Sequence, residues 1–201
     1  MQDPGLCEAT GSEPLTMEEE LQMQKSWRDD PNKCTFIVLA REQCEIDATK
    51  REVVVSDCLH AMVGDVNLFL SEIDDDDDEA GERGSAQRTE NDHTSRIQAE
   101  IDIMIAEQKF QRMGIGRAAT CSMLIYGATT LNIHRFFCKI NEDNKASIQL
   151  FENLGFVQCN YAACFKQVEF ELIKPLPELQ KILEPFGGYT ILDCPLEDPK
   201  Y

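Results

Sequence analysis

The amino-acid sequence predicts an α/β fold built on a mixed sheet, and three observations support this prediction. Cys34–Ala40 is a nearly continuous apolar run with β-branched residues, as in a buried strand. Ile97–Ala106 alternates apolar with mostly polar side chains, which is the period of a strand with one buried face. From Gly116 onward, helix-like apolar patterns alternate with strand-like ones, so helical crossovers should complete the second half of the sheet.

The first half of the chain predicts one helix followed by strands. Thr16 and Glu19 have the spacing of a capping box, which predicts a helix that ends near Trp27 and buries that indole in the core. Val53–Val55 is typical of a short edge strand, and Met62–Leu70 of a longer strand with a bulge at Gly64. The remaining predicted elements are helices at 116–131 and at about 144–155, the second capped by Asn144 or Asn141, and strands at 135–140, 156–159 and 164–173.

Composition predicts the domain boundaries. Residues 1–11 form a loose lead-in, residues 12–172 one folded domain, and residues 173–201 a C-terminal tail. Inside the domain, residues 71–95 form an acidic insertion with eight acidic and no basic residues between Glu72 and Glu82. Such a segment buries too little apolar surface to offset its ordering entropy, so we expect it to be disordered.

Bulk properties exclude several classes of partner. The formal net charge of −18 argues against a nucleic-acid partner, which needs a basic surface. No apolar run is long enough to span a membrane, and the first residues do not have the pattern of a secretory signal. The nine cysteines never have Cys-x-x-Cys spacing, so we predict free, buried thiols, no metal site and a reducing cytoplasmic location.

The turn Gln111–Gly116 is the strongest candidate for a binding site. It lies between a predicted strand and a predicted helix, where exposed N–H groups at a helix N-terminus favour an anion. The charges between residues 108 and 134 are all positive, namely Lys109, Arg112 and Arg117, so a phosphate group is the expected ligand.

Three general interpretations of this turn compete. A P-loop is excluded because no Gly-Lys-Ser/Thr string follows the glycines. A dinucleotide-binding fingerprint would place Ala119 at the third glycine and would need Glu142 as its ribose-binding acid. The third interpretation is a glycine turn that only packs a helix closely on a strand.

Two motifs in the right order resemble a more specific family. Gln111-x-x-Gly114-x-Gly116 matches the acyl-coenzyme A motif of the GNAT acetyltransferase superfamily, and the segment from Asn144 to Phe156 is similar to its second motif. The resemblance covers about residues 12–172 and is strongest to the N-acetyltransferase 9-like branch. It implies a GNAT-like acyl-coenzyme A N-acyltransferase fold.

The resemblance also implies acetyl-coenzyme A as the acyl donor. The backbone of the turn would hold its pyrophosphate, and the pantetheine arm would lie where the strand at 100–106 splays from the strand at 135–140. The residues implied for this site are Met104, Ile105, Ala106, Gln111, Arg112, Met113, Gly114, Ile115, Gly116, Arg117 and Asn144.

For the chemistry, the resemblance implies a carboxylate base. Glu100 lies eleven residues before Gln111, at the family's usual base position, and Asp102 on the same strand face is the alternative. A backbone N–H near Met104 or Ile105 would stabilise negative charge on the thioester oxygen.

The chain departs from the family pattern at two places. Phe151 stands where the family often has a tyrosine that protonates the leaving thiolate, so Tyr161, Tyr126 or water would have to substitute. The family's strand and helix that precede the segment at Ser12 have no room here, which predicts an N-terminally shortened fold.

Two functions follow from these observations. The first is an acetyl-coenzyme A-dependent N-acetyltransferase that acts on a protein or peptide amine. The second is a binding protein that keeps the fold with little catalysis, for which the resemblance suggests tubulin or microtubules as the partner. Phe151 and the short N-terminus favour the second function, whereas Glu100 and the intact glycine motif favour the first.

Overall fold

The computed structural model describes residues 13, 15–44, 46–47, 52–53, 58–73 and 96–173. The predicted lead-in and nearly all of the predicted tail lie outside these ranges, as do residues 74–95 of the acidic insertion. Two predicted boundaries change. Ser71 and Glu72 belong to a strand rather than to the insertion, because they pair with Gln98 and Ile97 of the next strand. Ile173 ends the last strand and does not begin the tail.

The helices and strands, in chain order, are α1 (Met17–Asp29), β1 (Lys33–Leu39), β2 (Ile46–Asp47), β3 (Glu52–Val53), β4 (Met62–Glu72), β5 (Ile97–Ile105), α2 (Ile115–Thr129), β6 (Ile133–Asn141), α3 (Lys145–Asn153), β7 (Val157–Ala162) and β8 (Gln167–Ile173). Six strands form one sheet in the order β1-β4-β5-β6-β8-β7, and β2 and β3 form a separate two-stranded sheet. Within the six-stranded sheet, β5 and β6 are parallel and the other neighbours are antiparallel. This arrangement confirms the predicted mixed sheet, with an antiparallel first half and helical crossovers behind it.

Local signals set several element ends as predicted. The capping box at the start of α1 forms, with the Thr16 hydroxyl accepting from the Glu19 amide at 3.3 Å. Asn132, at φ 54°, and Gly155, at φ 89°, follow the ends of α2 and α3 in the left-handed region. The last strand begins at Gln167 and not at Cys164, because residues 163–166 form the turn of the β7–β8 hairpin.

The core lies between one face of the sheet and helices α2 and α3. Its fully buried side chains include Leu68 of β4, Leu124 and Ile125 of α2, and Phe136 of β6. Burial of such side chains contributes about 1.5–3 kcal/mol each. The predicted burial of Trp27 is wrong. Helix α1 has no buried residue, and the indole is half-buried, with the Lys33 ammonium 4.9 Å from its ring centroid.

The opposite face of the sheet is called the polar face below, because it carries Asp65, Glu100 and Asp102. The seven cysteines in the described ranges are free thiols, but Cys159 and Cys164 are exposed, contrary to the expectation of buried thiols. Among the described residues, no helix is long and apolar enough to cross a membrane. The same residues contain no group of three His, Cys, Asp or Glu side chains arranged to hold a metal ion.

Candidate active site

A wedge-shaped gap opens in the sheet where β5 and β6 diverge. Strand β5 pairs with β4 as far as Ile105 but with β6 only as far as Glu100. Strand β6 continues beyond that point, paired with β8 up to Asn141. Residues 101–105 of β5 therefore have no ladder on their β6 side. This divergence is the splay that the sequence resemblance implied.

The β4–β5 register determines which backbone groups face the gap. The Ala106 amide donates to the Val63 carbonyl at 2.9 Å, in line with the pairing of Gly64 and Ile105. In an antiparallel ladder, alternate residues bond to the same neighbour. The N–H and C=O groups at positions 101, 103 and 105 are therefore directed away from β4 into the gap. Of the three predicted backbone contacts, Ile105 faces the gap, whereas Met104 and Ala106 are turned toward β4.

The glycine turn closes the wide end of this gap. Its first residue, Gln111, donates from Nε2 to the Ile105 carbonyl at 2.8 Å, which fixes the turn to the end of β5. Arg112 at φ 59° and Gly114 at φ 83° are both in the left-handed region, separated by the exposed Met113. Gly114 is followed directly by the helical Ile115, and a left-handed residue next to a right-handed one curves the chain so that successive N–H groups converge on one side.

Helix α2 begins immediately after the turn. The Ala118 amide bonds to the Gly114 carbonyl at 3.0 Å, so the helical ladder starts there and the amides of residues 115–117 have no partner within the helix. The first turn of α2 contains no acidic residue, and Arg112 and Arg117 are exposed beside it. The structure thus brings the predicted donors Ile115, Gly116 and Arg117 together at one positively polarised helix end.

Asn144 lies next to the same edge of the sheet. It follows the carboxyl end of β6, and the carboxyl ends of the parallel strands β5 and β6 share one edge. Its side chain accepts from the Ser147 amide at 3.1 Å, and this bond caps α3.

Two predicted carboxylates lie on the polar face beside the gap. Glu100 is the last β5 residue paired with β6, and its Oε2 lies 2.8 Å from Nζ of Lys139. Asp102 lies two residues further along, beside the open part of the gap, and is exposed. Partial loss of hydration among the neighbouring strands raises the pKa of Asp102, and the negative charge of Glu100 raises it further.

Asp65 is a third carboxylate on this part of the polar face, and no motif in the sequence points to it. Asp65 pairs with Met104 of β5, and Asn67, two residues further along β4, pairs directly with Asp102. Burial is the main cause of the raised pKa of Asp65, and Asp102 adds to it. Asn67 donates from Nδ2 to one oxygen of Asp65 at 3.4 Å and accepts from Thr35 at 2.6 Å. The sequence signal that could have indicated Asp65 is the alternation of side chains along β4, which places residues 65 and 67 on the same face of the sheet.

The structure does not bring Tyr161 to this cluster. Tyr161 lies on the edge strand β7, and β8 separates it from β6. Its hydroxyl donates to Glu142 at 2.6 Å, and this bond is the main reason that its pKa is raised. Phe151 lies in the core with 2% of its surface exposed, and its ring packs edge-on against Phe156.

Comparisons with known proteins agree with this geometry. The family model described as an acetyltransferase (GNAT) domain matches residues 1–157. An N-acetyltransferase 9-like protein of Caenorhabditis briggsae is 39% identical over 173 residues, which cover 86% of this chain and 73% of that protein. The human alpha/beta-tubulin-N-acetyltransferase 9 is 37% identical over 186 residues, covering 92% of this chain and 76% of that protein.

A solved structure has a similar fold. Spermidine N-acetyltransferase from Vibrio cholerae, in complex with CoA and spermine, aligns with a TM-score of 0.55 over 85% of this chain and 83% of that one. The two sequences are 18% identical, so this likeness concerns the fold alone.

Proposed function

This chain belongs to the GNAT acetyltransferase family, and on that premise we propose that it moves an acetyl group from acetyl-coenzyme A to an amine of a protein or peptide. The predicted α/β GNAT fold and the predicted acetyl-transferring activity are confirmed by the family match and by the relatives. The observation that carries the proposal is the gap between β5 and β6 with the glycine turn at its wide end.

The described residues fit acetyl-coenzyme A. The converging amides from Arg112 to Arg117 suit a pyrophosphate, and the two arginines supply positive charge for it. The backbone groups of residues 101 and 103 and the N–H of Ile105 suit an extended arm that bonds to β5 as an added strand would, while the Ile105 carbonyl accepts from Gln111. When bound, acetyl-coenzyme A supplies the thioester that serves as the acyl donor.

The amine must lose a proton before it attacks, and a carboxylate on the polar face would accept that proton. We assign this role to Glu100, because its Lys139 pair uses Oε2 and leaves Oε1 for an ordered water or for the amine. Asp102 is the second candidate, since it lies nearer to the open gap and its raised pKa makes it a stronger base. The leaving thiolate is a stable anion that water can protonate, so Tyr161 needs no part in the reaction.

The polar face also suits a positively charged acceptor. Asp65, Glu100 and Asp102 place three carboxyl groups on neighbouring strands, and Lys139 balances one of them. A protein amine in its ammonium form would be attracted to this region. Because the human relative is named a tubulin acetyltransferase, we propose tubulin as the acceptor, which would place the protein in the cytoplasm.

Turnover of acetyl-coenzyme A against a panel of peptides, including tubulin segments, tests this proposal. We expect acetylated peptide with the wild-type chain and a loss of about 100-fold or more in kcat for the base variant, Glu100→Gln or Asp102→Asn. The variant that keeps full activity identifies the carboxylate that is not the base. Binding of acetyl-coenzyme A without turnover on any peptide would instead support the binding-protein alternative.

A further inference from the structure

Lys139 reaches across the narrow end of the gap to the proposed base. It lies on β6, two residues beyond Phe137, which is the last β6 residue that pairs with β5. From this side of the gap its Nζ donates to Oε2 of Glu100 on the β5 side, at 2.8 Å. The same Nζ lies 5.4 Å from the Phe137 ring centroid, so it leans back toward the point where the two strands separate. Lys139 therefore places a primary amine beside the base at the narrow end of the gap.

The neighbouring strand β8 does not hold this amine. Glu169 is the direct ladder partner of Lys139, but its Oε2 accepts from Nδ2 of Asn160 on β7 at 3.0 Å. Within the described part of the chain, Lys139 forms its ion pair with Glu100 instead, and its side chain keeps 40% of its surface exposed. An ion pair this exposed is weak, so the ammonium can leave the carboxylate.

The length of the pantetheine arm brings the thioester to the same place. Gln111 fixes the glycine turn to Ile105, and the five strand residues from Ile105 back to Glu100 span about 16 Å. The arm has about 13 bonds from its sulfur to the nearest phosphorus, and an extended chain advances about 1.1–1.2 Å per bond, so the arm spans about 14–16 Å. With the pyrophosphate on the turn, the sulfur lies beside Glu100 and Lys139.

We propose that Lys139 is a self-acetylation site, to which the chain transfers the acetyl group of its own bound acetyl-coenzyme A. This inference rests on the proposed function. The ammonium gives one proton to Glu100, and the freed lone pair of Nζ forms a bond to the thioester carbonyl carbon. The C–S bond breaks with its electron pair on sulfur, and the thiolate takes a second proton from the nitrogen as the amide forms. The products are acetyl-lysine and free coenzyme A.

Acetylation changes the charge of the polar face next to the acceptor. It removes the positive charge of Lys139 and with it the ion pair to Glu100. Oε2 of Glu100 is then released, and the region around Asp65, Glu100 and Asp102 becomes more negative. The modification therefore increases the attraction of this face for a cationic acceptor.

The test incubates the purified chain with acetyl-coenzyme A and no peptide, and maps acetylated lysines by mass spectrometry. We expect acetylation at Lys139, at a rate that does not change with protein concentration, because the transfer occurs within one molecule. Glu100→Gln should slow this acetylation by about 100-fold or more. Lys139→Arg should abolish it.

The matched control is Lys33→Arg, which should not change the acetylation of Lys139. Lys33 lies on the same face of the sheet and also pairs with a carboxylate, that of Asp30 at 4.0 Å, but its strand β1 is two strands away from β5. Acetylation of Lys33 as fast as that of Lys139 would indicate uncatalysed transfer and overturns the inference.

Coenzyme A without an acetyl group tests the position of Lys139 in the wild-type chain. Bound coenzyme A should protect Lys139 from labelling by acetic anhydride and should leave Lys33 as reactive as in the free chain. Equal labelling of Lys139 with and without bound coenzyme A overturns the inference.

Acetylation of peptides separates this inference from the proposed function. A chain that acetylates peptides but leaves Lys139 unmodified, both as purified and after incubation, overturns the inference and leaves the proposed function standing. A chain that acetylates neither Lys139 nor any peptide overturns the proposed function, and the inference with it.

Discussion

Gly114 is the position at which backbone conformation and charge can be tested separately. Its φ of 83° is a region that asparagine and aspartate tolerate better than other residues with a side chain. The two side chains have the same shape and differ in one negative charge. Because α2 begins at the next residue, a carboxylate at Gly114 would lie at the proposed pyrophosphate position.

The expected magnitudes follow from this geometry. Both substitutions introduce a left-handed non-glycine residue at a cost of about 1–2 kcal/mol, which lowers Tm by roughly 2–8 °C. Two unit charges about 4 Å apart repel by about 1 kcal/mol in water and about 4 kcal/mol at an effective dielectric constant of about 20. Gly114→Asp should therefore bind acetyl-coenzyme A about 5- to 900-fold more weakly than Gly114→Asn.

Calorimetric titration of the two variants measures this difference. The difference between the affinities of the two variants should decrease at high salt, because the repulsion is electrostatic and near the surface. Acetyl-pantetheine, which lacks the pyrophosphate, should bind equally to both. Gly116→Ala is the control for the added bulk of a side chain, because it introduces a methyl group without a charge. Its Cβ would lie 3.6 Å from the Ile105 side chain, which is an ordinary van der Waals contact. Equal binding of acetyl-coenzyme A by folded Gly114→Asn and Gly114→Asp would mean that the pyrophosphate lies elsewhere.

The remaining predictions concern the core and the carboxylates. Burial raises the pKa of Asp65 above its ordinary value of about 4, so the folded protein favours the protonated side chain. The contribution of Asp65 to the free energy of unfolding is therefore fully present below that value and is lost as the pH rises. Asp65→Asn should consequently raise Tm at neutral pH but not in acid, and an equal shift at both pH values would contradict this. Phe151→Ala should cost about 3–5 kcal/mol in denaturant unfolding, whereas Phe165→Ala, at a residue 72% exposed, should cost almost nothing. Tyr161→Phe should leave kcat unchanged, and a large loss would show that its hydroxyl takes part.

Local sequence signals predicted most of the elements because each element end has a residue that sets it. Thr16 caps α1, Asn132 and Gly155 stop helices in the left-handed region, and the alternation at 97–105 marks β5. One exception was Trp27. Its spacing predicts an apolar helix face, but whether that face is covered depends on what packs against α1, which no local pattern records.

The site was predicted less completely, because its geometry depends on pairing between distant segments. Glu100 bonds to Lys139 across the β5–β6 ladder, 39 residues away in the chain, and no motif contains both residues. The inward direction of the N–H groups at positions 101, 103 and 105 likewise depends on the β4–β5 register. Family motifs indicate which segments meet at a site, whereas the direction of each backbone group follows from strand register.

The central claim is that the gap between β5 and β6, closed by the glycine turn, binds acetyl-coenzyme A. Calorimetric titration of the wild-type chain with acetyl-coenzyme A tests it most directly. We expect saturable binding of one molecule per chain, with much weaker binding by Gly114→Asp. Absence of measurable binding by the folded wild-type chain would contradict both the proposed donor site and the chemistry built on it.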